Sequence, residues 1–351
     1  MGEAVDSAPM AKGDVAREIL IIKPSSLGDI IDTLPAVGAI RRLCPNARIS
    51  WLVKSEWAAI LDRHPFVDRV MAVPFQWTRL QSIIRAVRSG VFDWVIDFQG
   101  LFRSAALGAL AQAPLRIGFA DAREGATWFY HRRVPVAADV IHAVDRCLAM
   151  AGALGADVSR IDFGFPRAGA PDPQVAALLQ EGGWAADAPF AVIHPLSRRQ
   201  NKCWPAARFR AVAERLISDR CALIFIGSDG ERDDIAALLA PMKRPAINAA
   251  GRLTLSALLL LLQRATLYIG NDSGPMHMAA AVGVPVVALF GPTDPQKVGP
   301  YGAEHVVIRK GIDCSACSRH RCLRDNACMT AISVEDVFQA VTARWEDRLR
   351  R

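Results

Sequence analysis

Polar residues that could bind an anion follow two neighbouring apolar segments in the second half of the chain. The first group, Asn-Asp-Ser-Gly-Pro, contains Asp272, Ser273 and Gly274, and the second, Gly-Pro-Thr-Asp-Pro, ends at Pro295. We predict a strand, a turn and a helix around the first group, because glycine permits unusual backbone shapes and Pro275 suits the first helical position. Backbone N–H groups and a hydroxyl at a helix N-terminus would bind a diphosphate. The alternative is a simple helix cap, which does not explain a second polar turn one strand later.

Two further polar loops follow predicted strands in the same half of the chain. One carries Arg198, Arg199 and Lys202, whose cations could face a phosphate or could simply be solvated. The other carries Glu231, which could accept hydrogen bonds from ribose hydroxyls or stabilise the start of a helix. Ligands of α/β folds bind at the carboxyl ends of the strands. We therefore expect the ligand there, in a crevice between two domains.

One carboxylate in the first half of the chain lies where it could take part in a reaction. The stretch KPSSLGDIIDTLP places Asp29 at the start of a predicted helix, after a Ser-rich loop. Gly28 beside it would let a substrate approach closely. We expect this carboxylate to face the interdomain cleft, and the alternative is an ordinary helix cap.

Four of the eight cysteines form a cluster near the C-terminus. They are Cys314, Cys317, Cys322 and Cys328, separated by two, four and five residues. Four thiols this close could hold a structural zinc ion, and disulfides are less expected in a reducing cytoplasm. Free thiols in a surface loop are the alternative, because the spacing matches no common zinc module.

Short apolar segments alternate with helical patterns along both halves of the chain, beginning with EILIIK at residues 18–23. This alternation predicts parallel sheets with helices on both faces. The pattern restarts after a stretch rich in Pro and Ala at residues 165–173. We therefore predict an α/β protein with a disordered N-terminus at 1–17, a Rossmann-like domain at 18–168, a second at 175–332 and a final amphipathic helix at 333–351.

Composition and missing motifs exclude several classes of protein. Neither half carries G-x-G-x-x-G after its first strand, which disfavours a dinucleotide dehydrogenase, and the P-loop motif is absent too. The net charge of +7 favours anionic partners, but without a lysine-rich run nucleic acid is not expected. The N-terminal segment lacks an apolar signal region, and Leu258–Leu262 is too short to span a membrane. We expect a cytoplasmic protein.

Four stretches resemble, in the same order, glycosyltransferase family 9, the lipopolysaccharide heptosyltransferases. They are ILIIKPSSLGDIIDTLPA, FDWVIDFQGLFRSAAL, the Lys-x-Trp-Pro of NKCWP and NDSGPMHMAAAVGVPVVALFGPTDP. The resemblance covers nearly the whole chain from about Ile19, and ADAREGATWFYHRR and HAVDR are most similar to heptosyltransferase I. It implies a GT-B fold, in which two Rossmann-like domains with parallel sheets face each other across a cleft and the last helix crosses back to the first domain. It also implies inverting transfer of heptose from ADP-L-glycero-D-manno-heptose to Kdo of the lipopolysaccharide inner core, without a metal or a cofactor.

The resemblance also implies roles for individual residues. Asp29 corresponds to the general base that takes the proton of the acceptor hydroxyl. Arg123 and Arg79 correspond to contacts with acidic groups of the acceptor. The implied donor-binding residues belong to the second domain: Ser197 and Lys202 for phosphate, Glu231 for ribose, Asp272 for sugar hydroxyls, and Ser273, Gly274 and His277 for the diphosphate pocket.

The implied partners are ADP-heptose, Kdo-lipid A and, peripherally, the cytoplasmic face of the inner membrane. Two features depart from heptosyltransferase I: Arg198 replaces a small hydroxyl residue, and the best-known type I enzymes lack the cysteine cluster. One alternative is a family 9 enzyme that adds a later heptose, as heptosyltransferases II and III do, or that uses another nucleotide sugar. The others are a GT-B UDP-sugar 2-epimerase, which the SLGD loop and the GPTDP turn disfavour, and a non-catalytic nucleotide-sugar binder, which Asp29 disfavours.

Overall fold

The computed structural model describes residues 16–74, 80–165, 173–216, 221–244 and 246–350. Most of the segment predicted to be disordered, most of the Pro- and Ala-rich stretch and Arg79 lie outside these ranges. The chain divides into two compact units, Met1–Phe165 and Pro166–Arg351. Each unit is described by itself.

Unit 1 is built on a parallel sheet whose strand order is β3-β2-β1-β4-β5-β6. The strands are β1 (Glu18–Ile22), β2 (Arg48–Lys54), β3 (Arg69–Val73), β4 (Trp94–Asp97), β5 (Leu115–Phe119) and β6 (Arg132–Val134). The helices are α1 (Leu27–Leu43), α2 (Leu80–Arg88), α3 (Phe102–Ala109) and α4 (Ala143–Ala153). Four consecutive residues of β1, from Ile19 to Ile22, are fully buried, as expected for a strand covered on both faces.

Unit 2 is built on a second parallel sheet, with the order β12-β11-β10-β7-β8-β9. Its strands are β7 (Phe190–His194), β8 (Ala222–Phe225), β9 (Ile247–Asn248), β10 (Leu267–Asn271), β11 (Val286–Phe290) and β12 (Val306–Arg309). Its helices are α5 (Pro173–Glu181), α6 (Ala206–Leu216), α7 (Arg232–Leu239), α8 (Leu255–Arg264), α9 (Gly274–Ala281), α10 (Pro295–Val298), α11 (Ala327–Thr330) and α12 (Val334–Arg350).

The two sheets have the same topology. Counted from the first strand of its own unit, each sheet follows the order 3-2-1-4-5-6, which is that of Rossmann domains. The strand order reverses between β1 and β4 in unit 1 and between β7 and β10 in unit 2. The prediction of two Rossmann-like parallel sheets is confirmed. Ligands bind outside the carboxyl ends of the strands at such reversals, so these are the places to examine for a site.

The last helix packs within unit 2. Val337 and Val341 on α12 are fully buried in the core of that unit. Arg215 on α6 donates a hydrogen bond of 2.9 Å to Glu335, and its guanidinium lies 3.6 Å from the centre of the Phe338 ring. The crossing of this helix to the first domain stays a prediction. Within the described ranges, no helix has both the length and the apolar character needed to cross a membrane.

Candidate functional site

The predicted anion-binding turn lies at the carboxyl end of β10, beside the reversal of the unit 2 sheet. Ser273 is the N-cap of α9, its backbone is extended, and Pro275 lies in the first turn of the helix. The N-terminal N–H groups of α9 therefore lie at the strand ends, where they can bind an anion. The sequence-based reason for Gly274 was wrong, because Gly274 is the first residue of α9 and adopts helical backbone, which other residues also adopt.

The carboxylate of Asp272 connects three loops of unit 2. Its side chain is 7% exposed, and its Oδ2 accepts a 2.6 Å hydrogen bond from Lys202 Nζ. Thr293 Oγ1, in the turn after β11, donates a second hydrogen bond of 2.6 Å to the same oxygen. Lys202, whose side chain is 16% exposed, ends a short 3₁₀ turn (Gln200–Lys202) within the loop that follows β7. Separating the two side chains would leave a buried charge without a partner, which is strongly unfavourable. The ion pair therefore holds both side chains in place.

Three more hydrogen bonds fasten the loop after β7 to the end of β10. Ser197 Oγ donates to the backbone carbonyl of Asp272 at 3.3 Å. The Asn271 amide donates to the carbonyl of Pro195 at 2.9 Å and accepts from the backbone N–H of Trp204 at 3.0 Å. The structure therefore brings Ser197, Lys202 and Asp272 together, and their roles in binding phosphate and sugar stay predictions.

A buried histidine lies beneath the N-cap of α9. His194 Nδ1, at the end of β7, is 3.0 Å from Ser273 Oγ. Burial lowers the pKa of His194 to about 4, although the charge of Glu231 opposes this shift. The imidazole is therefore neutral near pH 7 and orients the Ser273 hydroxyl. Burial also raises the pKa of Tyr268, which keeps that phenol protonated next to the site.

The remaining donor-side residues have structural contacts of their own. Glu231 Oε2 accepts hydrogen bonds from the backbone N–H of Ser228 at 2.6 Å and from its hydroxyl at 2.7 Å, which is a capping box at the start of a helix. The helix-start alternative for Glu231 is therefore realised, and its contact with ribose stays a prediction. His277 is buried in the first turn of α9, directly after the anion-binding turn.

In unit 1, Asp29 lies in the first turn of α1, beside the sheet reversal. Its Oδ2 accepts hydrogen bonds from the backbone N–H of Ser26 at 2.9 Å and from Ser26 Oγ at 2.6 Å. Its Oδ1 is 3.7 Å from the ammonium of Lys23, which is buried and also donates to the carbonyl of Phe98 at 3.1 Å. The Asp29 side chain is 48% exposed. Asp29 thus completes a capping box with Ser26, the N-cap of α1, and still presents its carboxylate to solvent.

Arg123 lies in an exposed loop next to the turn that follows β4. Its backbone N–H donates to the carbonyl of Gly100 at 3.0 Å. Its side chain is exposed, as a contact with a bound acceptor requires. Arg79, the second predicted acceptor contact, lies outside the described residues.

The clustered cysteines are all free thiols. Cys322 Sγ accepts hydrogen bonds from the backbone N–H groups of Arg324 at 3.4 Å and Asn326 at 3.3 Å. Burial raises the pKa of the Cys328 thiol, and the neighbouring Cys322 adds to the shift. Across the described ranges, no three His, Cys, Asp or Glu side chains are arranged to hold a metal ion. The zinc hypothesis for Cys314, Cys317, Cys322 and Cys328 therefore gains no geometric support.

Residues 310–326, here called the cysteine loop, are fastened to the loop after β7 and to the turn after β11. The carbonyl of Arg319 accepts a 2.7 Å hydrogen bond from Asn201 Nδ2 and another from the guanidinium of Arg199. The N–H of Ser318 donates to the carbonyl of Pro292 at 2.7 Å, next to Thr293. The loop therefore braces both the segment that carries Lys202 and the turn that carries Thr293.

Several of these residues had not been identified from the sequence. Thr293 lies in the second polar turn, which was recognised as unusual, but no partner could be assigned to it. His194 directly precedes the cationic loop, yet its pairing with Ser273 joins residues 79 positions apart. No local pattern signals Asn201, because its partner is a backbone carbonyl 118 residues away.

Comparison with known proteins gives consistent results. The sequence profile of glycosyltransferase family 9 (heptosyltransferase) matches residues 80–328. The chain is 32% identical over 325 residues to lipopolysaccharide heptosyltransferase 1 of Pseudomonas aeruginosa strain PAO1, and the match covers 87% of each chain. This similarity to a type I enzyme confirms the prediction made from the sequence.

Solved structures agree with this result. The structure is similar to that of a family 9 glycosyl transferase from Veillonella parvula DSM 2008, with a TM-score of 0.83, 23% identity and coverage of 94% of this chain and 97% of that one. It is also similar to Escherichia coli heptosyltransferase WaaC with ADP, with a TM-score of 0.75, 25% identity and coverage of 93% and 99%. The predicted GT-B fold class is confirmed. Together with the profile match, these similarities show that the chain is a glycosyltransferase that belongs to family 9, the heptosyltransferases.

Proposed function

We propose that this protein transfers heptose, with inversion, from ADP-L-glycero-D-manno-heptose to Kdo of the lipopolysaccharide inner core, as a heptosyltransferase I. The observation that carries the proposal is the Asp272 carboxylate held between Lys202 and Thr293 at the N-terminus of α9. This arrangement supplies both a polar contact for a sugar and a site for a diphosphate.

The donor side follows from the charges of these groups. As the bond to the sugar breaks, the leaving diphosphate gains negative charge. The N-terminal N–H groups of α9 and the ammonium of Lys202 would stabilise that charge without a metal ion. Both described hydrogen bonds to the Asp272 side chain use Oδ2, so Oδ1 would accept a hydroxyl of the sugar. Ser197, Ser273, Gly274 and His277 would complete the diphosphate pocket, and Glu231 would meet the ribose.

The acceptor side depends on Asp29. The attacking hydroxyl has to lose a proton, and a half-exposed carboxylate beside a buried lysine can accept it. Ser26 would hold the carboxylate in a fixed direction through its two hydrogen bonds. Arg123 and Arg79 would contact acidic groups of Kdo-lipid A.

The proposal includes a cytoplasmic location with peripheral contact to the inner membrane. A lipid-linked acceptor has to be reached at a membrane surface. The net charge of +7 favours binding to an anionic surface. Sedimentation with vesicles tests the membrane contact. We expect the protein to sediment with vesicles that contain anionic lipid and to stay in the supernatant with vesicles of neutral lipid.

The decisive experiment offers purified protein ADP-heptose together with either Kdo-lipid A or its monoheptosyl product. We expect release of ADP and the addition of one heptose to Kdo-lipid A, with an inverted anomeric configuration. Transfer to the monoheptosyl product alone would show that the enzyme adds a later heptose. Formation of an epimer of the nucleotide sugar without transfer would reject the proposed reaction.

A further inference from the structure

Two aromatic side chains of unit 1 lie exposed on its surface. Of the large apolar side chains that are exposed in the described ranges, the aromatic ones are Trp128, at 78%, and Phe102, at 46%. Phe102 is the first residue of α3, and Trp128 belongs to a short 3₁₀ turn, Ala126–Phe129, between β5 and β6. Tryptophan is highly buried on average, so its exposure here is unusual.

A third ring joins these two into one surface. The Phe129 ring lies 5.3 Å from the Phe102 ring in an edge-to-face arrangement, and Phe129 directly follows Trp128. Phe129 is itself half-buried, because it packs against a small core that contains Ala126 and Tyr130. Phe102, Trp128 and Phe129 are here called the aromatic patch. The patch has a buried base and two exposed rings, which is typical of an interaction site.

The backbone around Trp128 is held in place. A Cβ added at Gly125 would lie 3.2 Å from two carbons of the Trp128 indole, so the ring lies over the Gly125 backbone. Arg133 Nε donates a 3.1 Å hydrogen bond to the carbonyl of the residue before Trp128. Arg116 Nε donates a 2.8 Å hydrogen bond to the carbonyl of the residue after it. The turn therefore presents the indole to solvent from a fixed position.

Positive charge surrounds the aromatic patch. Residues 115–134 contain four arginines and two carboxylates, and Arg103 follows Phe102 in α3. One of the two carboxylates, Asp121, pairs with Arg146 at 2.6 Å. The side chains of Arg103, Arg123 and Arg133 are exposed. The field at this surface therefore favours an anionic partner.

Aromatic rings bordered by arginines suit the headgroup region of an anionic lipid bilayer. Tryptophan is enriched at the membrane–water interface, where the ring meets apolar chains and the indole N–H stays near polar groups. Guanidinium groups form strong, often bidentate hydrogen bonds with phosphate oxygens. Each arginine near an anionic membrane surface strengthens binding roughly fivefold.

A second copy of the chain suits the patch less well. A twofold contact would place the same arginines of both copies against each other, which is repulsive. Stable protein interfaces bury about 800 Å² on each partner. An aromatic side chain buries about 150 to 250 Å² when it is fully covered, and Phe129 is already half-buried. The charge and the size of the patch therefore favour a lipid surface.

We infer that this protein docks on an anionic lipid bilayer through the aromatic patch, with Trp128 and Phe102 in the headgroup region and the neighbouring guanidinium groups on lipid phosphates. The inference rests on the proposed function, which requires a lipid-linked acceptor, and it names the surface that makes the membrane contact. Unit 1 also carries Asp29, so docking through this unit would hold the acceptor side at the membrane.

Tryptophan fluorescence tests whether the indole of Trp128 reaches the lipid. The full-length protein is mixed with vesicles of phosphatidylglycerol and phosphatidylcholine whose brominated acyl chains quench a nearby indole. We expect quenching with these vesicles and none with pure phosphatidylcholine. The chain has eight tryptophans, so W128F identifies the one responsible. W128F keeps an aromatic ring and should still sediment with the anionic vesicles but lose most of the quenching. Equal quenching in W128F and the wild type would overturn the inference.

Removing both exposed rings tests their contribution to binding. F102S/W128S should raise the dissociation constant for anionic vesicles about tenfold or more. V91S/I161S, which removes two other exposed apolar side chains of unit 1, is the matched control and should bind like the wild type. Wild-type binding by an F102S/W128S protein that unfolds at the wild-type temperature would reject the patch, and if this variant does not fold, quenching in W128F decides.

Charge variants test the role of the surrounding arginines. R133Q should weaken binding to anionic vesicles about fivefold, whereas R133K should bind like the wild type because it keeps the charge. R48Q, at an exposed arginine at the start of β2, is the control and should leave binding unchanged. Equal binding by R133Q and R133K would contradict the electrostatic part of the inference.

Sedimentation velocity distinguishes a membrane from a second copy of the chain. We expect the wild type and F102S/W128S to show the same association state in solution. A wild-type dimer that F102S/W128S dissociates, together with no binding to vesicles, would assign the patch to self-association and overturn the inference.

The transfer assay separates this inference from the proposed function. For Kdo-lipid A in anionic vesicles, F102S/W128S should raise the acceptor KM about tenfold. The acceptor KM for a water-soluble form without acyl chains, and the affinity for ADP, should not change. Vesicle binding through the patch by a wild-type protein that transfers no heptose would reject the proposed reaction and leave the docking surface standing. Active transfer with an unchanged KM for vesicle-bound acceptor in F102S/W128S would reject the docking surface alone.

Discussion

Asp29 has a structural contact and a proposed chemical role on the same side chain, and a substitution can separate them. In D29N, the amide oxygen can still accept the hydrogen bonds from Ser26, so α1 should keep its cap. The amide cannot take a proton from the acceptor. We expect kcat to fall by at least about 10²-fold with the affinity for ADP nearly unchanged.

The matched control for Asp29 is S26A, which removes one capping hydrogen bond but keeps the carboxylate. It should lower the free energy of unfolding by about 0.5 to 2 kcal/mol and change kcat much less than D29N does. Turnover of D29N within a few-fold of wild type would show that Asp29 is only a cap. Asp32, which is buried in the same helix, would then be the next candidate.

Thr293 offers a second test, because its hydroxyl supplies one of the two hydrogen bonds to Asp272 Oδ2. Hydrogen bonds to charged groups contribute roughly 1.5 to 3 kcal/mol, so T293V should loosen Asp272 and raise the donor KM about tenfold or more. The acceptor KM should stay the same, and T293S should restore the donor KM. T330V, at an exposed threonine of α11, is the control. A donor KM unaffected by T293V would remove Thr293 from the donor site.

The types of the site residues were predictable, but their contacts were not. Lys202 and Asp272 were both assigned to donor binding, and the structure brings them together. The sequence did not indicate that they pair with each other, because 70 positions separate them and the contact exists only once β7 and β10 are adjacent. The contact of Glu231, in contrast, could be predicted from the local sequence, because its capping partner Ser228 is only three residues away.

At the scale of the elements, the strands with continuous apolar runs were predicted, whereas four strands with weaker patterns were not. The inner strands β1, β7, β10 and β11 are uninterrupted in the sequence because both faces of the sheet are covered. The strands β5, β6, β9 and β12 had not been predicted. They are two to five residues long, and β6 consists of two arginines and a valine, so local composition does not distinguish them from loops.

The cysteine loop is an element whose role can be tested chemically. Cys314, Cys317 and Cys322 are partly exposed, whereas Cys328 is buried and its thiol pKa is raised. A thiol reagent at neutral pH should therefore modify three cysteines of the cluster before Cys328. Because the loop braces the segments that carry Lys202 and Thr293, modification should weaken ADP binding. We would measure the modified sites by mass spectrometry and ADP binding by calorimetry.

Replacement of Cys314, Cys317 and Cys322 by serine provides the control, because this variant should bind ADP normally and lose its sensitivity to the reagent. Metal analysis of protein purified without chelator decides between free thiols and zinc. We expect no stoichiometric zinc. About one zinc per chain, with the thiols protected until a chelator is added, would show that the cysteines form a metal site.

At the scale of the whole molecule, one buried histidine with a lowered pKa in each unit should make both units sensitive to acid. His64 in unit 1 lies 3.0 Å from the carbonyl of Phe163, and burial lowers its pKa to about 4, as it does for His194 in unit 2. The ordinary pKa of histidine is about 6.5. Below that pH these two histidines are protonated in the unfolded chain but stay neutral in the folded one. The free energy of unfolding therefore falls as the pH drops from about 6.5 to about 4.

His64 and His194 should each remove up to roughly 3 kcal/mol of stability over this range, because one pKa unit corresponds to about 1.4 kcal/mol. Urea unfolding at a series of pH values measures the loss. H64Q and H194Q should be less stable at pH 7 but lose less on acidification. H320Q, at an exposed histidine, should follow the wild-type profile. An unchanged pH dependence in H64Q and H194Q would show that other groups cause the acid sensitivity.

The brevity of the outer strands has a consequence for behaviour at high concentration. A sheet edge exposes unpaired N–H and C=O groups, and a long, flat edge invites pairing with another chain. Here β6, β9 and β12 are three, two and four residues long, and β3 has only five. An intruding strand could form few hydrogen bonds at any of these edges. The shortness that made β6, β9 and β12 hard to recognise in the sequence should therefore protect the folded protein against edge-to-edge aggregation.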